Sequence, residues 1–267
     1  MGEVAGLYYE EHGPVDAPPV ILSPGLGGSS AYWTPNLEAL TRDHRVILYD
    51  HRGTGRSDRA LPENLTVGDM AEDLHRLMTG IGIPRATIVG HAAGGAIGLE
   101  LALQRPEAVE RLVVINGWAA PDPHFARCMQ ARLAILLGAG VRAFIRAQPI
   151  FLYPAGWISE NDARLNEEEA GHIAHFQGAA NVEARIGALA AFDIEARLGD
   201  IRAPVLLIAA QDDMLVPASC SERLAKGLPD ATLMPMLGGH ACNVTEPLIF
   251  EKILRGWLSP ALLQGAA

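Results

Sequence analysis

The stretch Ala86-Thr87-Ile88-Val89-Gly90-His91-Ala92-Ala93-Gly94-Gly95-Ala96 leaves this chain few ways to fold. Ala86 to Val89 is a short apolar run bounded by a turn, the pattern of a buried strand. From Ala96 to Ala102 the apolar residues recur at the spacing of a helix packed on a sheet. Strand must therefore pass into helix through one sharp turn. Gly90 and Gly94 stand where a tight turn and close helix–strand packing leave no room for a Cβ.

The rest of the chain repeats this alternation. Strands are predicted at Leu7–Glu11, Pro19–Ser23, Arg45–Asp50, Arg111–Asn116, Ala203–Ala209 and Thr232–Met236. Helices are predicted to open at Tyr32 and to run over Val67–Met78, Ser219–Gly227 and Glu246–Leu258. Strands separated by helices imply βαβ units and a mostly parallel sheet, the α/β class. At 267 residues and 49% hydrophobic, the chain fits a single domain over 1–267 with a large core. Between residues 117 and 193 the rhythm breaks. Helical spacing runs through Phe125–Leu137, Val141–Gln148, Glu167–Gln177 and Asn181–Ala191 with no clear strand among them. This reads as a helical cap inserted over the strand ends, where open α/β sheets bind ligands.

Charge and composition exclude several classes. A net charge of −10 and a pI near 5.3 argue against nucleic acid or an anionic membrane as partner, though not against a small anionic substrate. No unbroken apolar run approaches the roughly 18 residues of a membrane span. The N-terminal residues show no basic region followed by an apolar one, so the expected location is cytoplasmic. Cys128, Cys220 and Cys242 are odd in number and widely spaced, which reads as buried free thiols and not as a disulfide or metal set. The loop Pro24-Gly25-Leu26-Gly27-Gly28 lacks the G-K-[ST] and G-x-G-x-x-G patterns of phosphate and dinucleotide loops. No cofactor or metal is expected. The oligomeric state is not specified.

Taken in order, the glycine loop at Gly25-Leu26, the run Asp50-x-Arg52-Gly53-x-Gly55-x-Ser57, the Gly90–Gly94 turn, an acid after the next-to-last strand and Gly239-His240 resemble the α/β-hydrolase superfamily. Further segments resemble the RutD family of bacterial uracil catabolism. They are Gly25-Leu26-Gly27-Gly28, Asn116-Gly117-Trp118, Ala147-Gln148-Pro149, Phe151-Leu152-Tyr153-Pro154-Ala155, His175-Phe176-Gln177-Gly178 and Gly238 to Thr245. The resemblance implies an α/β-hydrolase fold and a small cytoplasmic hydrolase acting on carbamate or 3-aminoacrylate. It also implies the departure seen here, since the family resembles this chain in its alanine at the turn's tip.

That tip is position 92 of a G-x-S-x-G outline, the nucleophile position, where Ala92 replaces the serine. The resemblance makes His240 and Asp213 the catalytic pair, with Asp212 the alternative acid. Plain alternatives are a loop histidine bonded to backbone and a solvated Asp212-Asp213 turn. The oxyanion donors would be the backbone N–H groups of Leu26 and Ala93, which do not depend on the missing serine. His91 reads as structural support. Trp118, His124, Tyr153 and Trp157 are pocket candidates, with ordinary packing as the alternative for each. Both substrates carry a carboxylate, but Arg127, Arg132, Arg142, Arg146 and Arg185 all lie in the cap stretch and none is singled out. The expected chemistry is general-acid catalysis by His240, because an aspartate beside a histidine favours the imidazolium. Alternatives are a non-catalytic binding protein, a serine hydrolase with its nucleophile replaced, and cofactor-free His/Asp chemistry on a larger aromatic substrate.

Overall fold

The computed structural model describes residues 1–258. In chain order it contains β1 (Gly2–Val4), β2 (Leu7–His12), β3 (Pro19–Ser23), α1 (Thr34–Thr41), β4 (Arg45–Tyr49), α2 (Val67–Gly80), β5 (Ala86–His91), α3 (Ala93–Gln104) and β6 (Val109–Ile115). There follow α4 (Pro123–Leu152), α5 (Ala155–Glu160), α6 (Asp162–Ala174) and α7 (Ala179–Ala190). The chain then returns to the sheet with β7 (Val205–Ala210), α8 (Ala218–Gly227), β8 (Ala231–Met236), α9 (Cys242–Thr245) and α10 (Pro247–Leu258). The eight strands form one sheet in the order β1-β2-β4-β3-β5-β6-β7-β8. β1–β2 and β2–β4 are antiparallel; every other pair is parallel. This is the α/β architecture that the sequence predicts, with β1 and the short α5 added.

The parallel strands are apolar on both faces because helices cover both. Successive residues point to opposite sides, so Ile88 and Leu112 join one core while Val89 and Val113 join the other. The first core packs under α2, α3 and α8 through Leu74, Ile97 and Leu224. The second packs under α1 and α10 through Leu40, Phe250 and Leu254. β5 lies centrally between β3 and β6, and all six of its residues are buried. α2 begins with a reciprocal capping box between Thr66 and Asp69, a device worth about 1 kcal/mol.

Helices α4 to α7 occupy the interval between β6 and β7. An 18-residue window of α4 has a mean hydropathy of 1.4, which by length and composition is enough to cross a membrane. Arg132 and Arg142 interrupt the stretch, so it holds no unbroken apolar run of that length. Gly140, at φ 84° and ψ 179°, is not helical. It divides α4 into arms 123–139 and 141–152, each short of the roughly 20 residues a span needs. The predicted helix over Glu167–Gln177 ends earlier, at Ala174, and Phe176 and Gln177 lie in the loop before α7. Of the three free cysteines Cys220 and Cys242 are buried, but Cys128 is only half-buried.

Because β3, β5, β6, β7 and β8 run parallel, their C-terminal ends share one edge of the sheet. Leu26, Ala92, Asn116, Asp213 and His240 all follow those ends within a few residues.

Candidate active site

Ala92 sits between β5 and α3 at φ 48° and ψ −104°, a conformation that costs an alanine about 1–3 kcal/mol. Its N–H donates to Ile115 O at 2.8 Å, which anchors the turn on β6. A Cβ on Gly90 would lie 2.3 Å from the Gly94 carbonyl carbon, and one on Gly94 would lie 2.1 Å from Ser23 O. Both glycines are therefore steric requirements. The next residue, Ala93, is the first of α3, where N–H groups have no partner within the helix and the helix end favours negative charge.

The glycine loop closes beside this helix end through Gly28 N–H to Gly25 O at 3.0 Å. Among the described residues no hydrogen bond uses the Leu26 N–H, while the Leu26 carbonyl accepts from Arg185 Nε at 3.2 Å. The Asp50–Ser57 run supports the loop from behind. The buried Asp50 carboxylate accepts from Ser30 N–H at 2.8 Å, Arg56 N–H at 2.8 Å and Arg56 Nε at 3.1 Å. Burial alone would raise its pKa, but these donors bring it below the usual carboxylate range.

Asp213 and His240 meet across the loops after β7 and β8. His240 Nδ1 lies 2.7 Å from Asp213 Oδ2, and their side chains are 3% and 0% exposed. Asp213 Oδ1 accepts from the Leu215 and Val216 N–H groups at 2.7 and 2.9 Å, which fixes the carboxylate plane. With Nδ1 engaged, Nε2 is the ring nitrogen left for a substrate. Asp212 is placed elsewhere: its Oδ1 accepts from the Gly238 and Gly239 N–H groups, both at 3.0 Å, and so shapes the histidine loop.

Two residues hold that loop against the turn. Asn116, at φ 51°, donates from Nδ2 to His240 O at 2.7 Å and accepts at Oδ1 from Ala210 N–H at 2.8 Å. His91 donates from Nε2 to the same His240 carbonyl at 2.8 Å, which leaves Nδ1 as the unprotonated nitrogen. Burial, then the neighbouring His240, holds the His91 pKa well below the ordinary histidine value. Tyr32 stacks on His91 at 4.8 Å and donates to Asn243 Oδ1 at 2.6 Å. From the sequence Asn116 was read as a strand end and as part of a segment resembling the RutD family, and Tyr32 only as a helix start; neither was given a role in the site.

The four pocket candidates separate. Trp118 is 2% exposed, packs on Phe125 at 4.5 Å and leaves its Nε1–H without a partner. Tyr153 and Trp157 stack on each other at 4.4 Å and are half-buried. They follow Leu152, whose carbonyl accepts the Ala241 N–H at 3.0 Å. His124 is exposed, with Nε2 2.9 Å from Met214 O, so it joins α4 to the acid loop instead of lining a recess. Among the described residues no three His, Cys, Asp or Glu side chains cluster to hold a metal ion.

The five arginines separate as well. Arg142 and Arg146 pair with Glu169 and are largely exposed, and Arg127 is exposed. Arg185 of α7 is fully buried without a carboxylate; besides Leu26 O it donates to His51 Nδ1 at 2.8 Å and to Arg52 O at 3.4 Å. A guanidinium only donates, so His51 is neutral, and burial followed by Arg185 itself holds its pKa well below the usual value. Arg132 of α4 is the other buried one.

Comparison with known proteins places this geometry. The family model for the alpha/beta hydrolase fold matches residues 18–150. Relatives named "Putative carbamate hydrolase RutD" occur in Variovorax paradoxus (strain S110), 53% identical over 95% of this chain and 96% of theirs, and in Agrobacterium fabrum (strain C58), 48% identical over 96% and 99%. Among solved structures, a hydrolase from Pseudomonas aeruginosa PA01 superimposes with a TM-score of 0.85 at 29% identity, covering 95% of this chain and 94% of that one. The enol-lactonase from Burkholderia xenovorans LB400 gives 0.86 at 25%, covering 96% and 98%. Sheet order, turn and near-full-length identity agree, and the chain belongs to the RutD family of α/β-hydrolases.

Proposed function

We propose that this protein hydrolyses small C–N compounds of pyrimidine breakdown, carbamate or 3-aminoacrylate, with His240 as general acid and no covalent intermediate. One observation carries the reading: the His240–Asp213 pair is buried and closely bonded at 2.7 Å although the nucleophile position holds Ala92. The relatives' name supplies carbamate as a substrate.

Magnitudes favour such substrates. Loss of a triad nucleophile costs on the order of 10⁶ in turnover, while oxyanion stabilisation and binding retain about 10³–10⁴ over water. A stable ester would be turned over poorly. A compound that already decomposes needs only proton delivery, worth about 10²–10⁴ from a placed acid. Protonated His240 would donate from Nε2 to the carbamate nitrogen, and carbon dioxide and ammonia separate. With aminoacrylate it would protonate carbon, giving an iminium to which water adds before ammonia leaves. Asp213 orients the imidazole, the Leu26 and Ala93 N–H groups face the reacting centre, and α4 to α7 act as a cap over the site.

The test is the decay of freshly generated carbamate and aminoacrylate with wild-type protein, with His240→Ala and with buffer alone. We expect acceleration by wild type and a loss of about 10²–10⁴ of it in His240→Ala. Equal decay in all three would favour a binding protein instead. Strong esterase turnover by Ala92→Ser would favour a serine hydrolase with its nucleophile replaced.

A further inference from the structure

Arg132 is 5% exposed and has no carboxylate within ion-pairing distance among the described residues. Its Nη2 donates to Gln148 Oε1, and its Nη1 makes only a long contact of 3.7 Å to Met129 Sδ. Its Nε–H has no partner. Phe144 and Phe151 flank the guanidinium, with ring centroids 5.9 and 5.7 Å from Cζ. Isolating a cation this way is expensive, and an apolar residue of similar volume would fill the same space more cheaply. Unlike Arg185, whose nitrogens meet three acceptors, Arg132 keeps donors in reserve.

Its surroundings lead to both halves of the His–Asp pair. One helical turn earlier on α4, Cys128 Sγ lies 3.5 Å from the carbonyl of Met214, the residue after Asp213. Phe151, on which the guanidinium rests, precedes Leu152, whose carbonyl accepts the N–H of Ala241, the residue after His240. The charge persists at neutral pH, since burial brings its pKa down only to about 10.

We propose that Arg132 is the substrate-carboxylate receptor of this site, its Nε–H and remaining Nη hydrogens binding a carboxylate of at most a few carbons while Gln148 fixes the guanidinium. Guanidinium suits this better than ammonium, because its planar fork matches two carboxylate oxygens. The proposal rests on the reading of the site given under Proposed function, but its test does not need turnover.

The test compares acrylate, a three-carbon carboxylate without the reacting nitrogen, with its neutral counterpart acrylamide, using NMR-monitored titration of the full chain kept short enough that no thiol is alkylated. Wild type is expected to bind acrylate about 10- to 100-fold more tightly than Arg132→Gln does, the usual worth of a charge-assisted hydrogen bond. Acrylamide binding is expected to be the same in both, and Arg132→Lys to recover part of the acrylate affinity. Should Arg132→Gln fail to fold, wild type and Arg132→Lys decide: acrylate must shift the ¹⁵Nε–H signal that Arg132→Lys lacks, and acrylamide must not. Equal acrylate binding by folded Arg132→Gln, no binding by wild type, or an unmoved Nε–H signal would overturn the proposal. Arg132-dependent acrylate binding in a protein that accelerates neither decay reaction would retain the receptor and reject the proposed function.

Discussion

With one side chain Asn116 links the ends of β6 and β7 to the carbonyl of His240. Its φ of 51° is one that asparagine tolerates better than most residues. Asn116→Ala would leave the Ala210 N–H buried without its partner and put at this φ a residue that tolerates the left-handed region less well. We expect a loss of about 2–4 kcal/mol in urea unfolding, the sum of an unsatisfied buried group and a strained backbone. Chain order brought His240 and Asp213 forward as a pair, but it left Asp212 open beside Asp213. Only the fold separates them, because the two carboxylates diverge, one to the imidazole and one to the Gly238 and Gly239 amides. The arginines were equally opaque in sequence. Arg132 and Arg142 sit in similarly apolar, alanine-rich helical stretches, and which is buried depends on how the two arms of α4 pack.

At the scale of elements, Gly140 decides what the insertion can be. A Cβ there meets nothing within 4 Å, so any cost of substitution comes from the backbone and not from crowding. Gly140→Ala is expected to lose about 1–3 kcal/mol, a drop of several degrees in Tm by calorimetry. A Tm equal to wild type would mean that the arms rejoin into one continuous helix without penalty. The strands and the turn around Ala92 were legible because short continuous apolar runs bounded by turns mark buried strands and paired glycines obey strict sterics. The insertion was less so. Its helices were recognisable by spacing, but α5 is short, and Phe176, just past the end of α6, packs against Phe144 of another helix. The same limit explains His124, whose sequence neighbours give no sign that it is exposed and bonded to Met214 O.

For the whole molecule, two buried neutral histidines set a direction for acid sensitivity. His51 and His91 both have native pKa values well below 6.5, so in acid the unfolded chain binds protons that the folded one refuses. Their contribution is complete above about pH 6.5 and is lost as pH falls from there toward the native values. Each adds a slope of about 1.4 kcal/mol per pH unit within that window. Urea midpoints measured between pH 7.5 and 5 should therefore fall, and His51→Gln should remove one share of the slope. A flat profile would mean that these imidazoles take up protons in the folded protein as readily as in the unfolded chain. The three bonds of Arg185 have a further bearing on how new specificities can arise on this scaffold. The insertion that would choose the substrate also braces the loop beside the reacting atoms, so the two are not interchangeable modules. An insertion grafted from a distant hydrolase would strand Leu26 O and His51 Nδ1 unless it brought a donor to the same spot. Diversification on this scaffold therefore has to keep a donor where the Arg185 guanidinium stands.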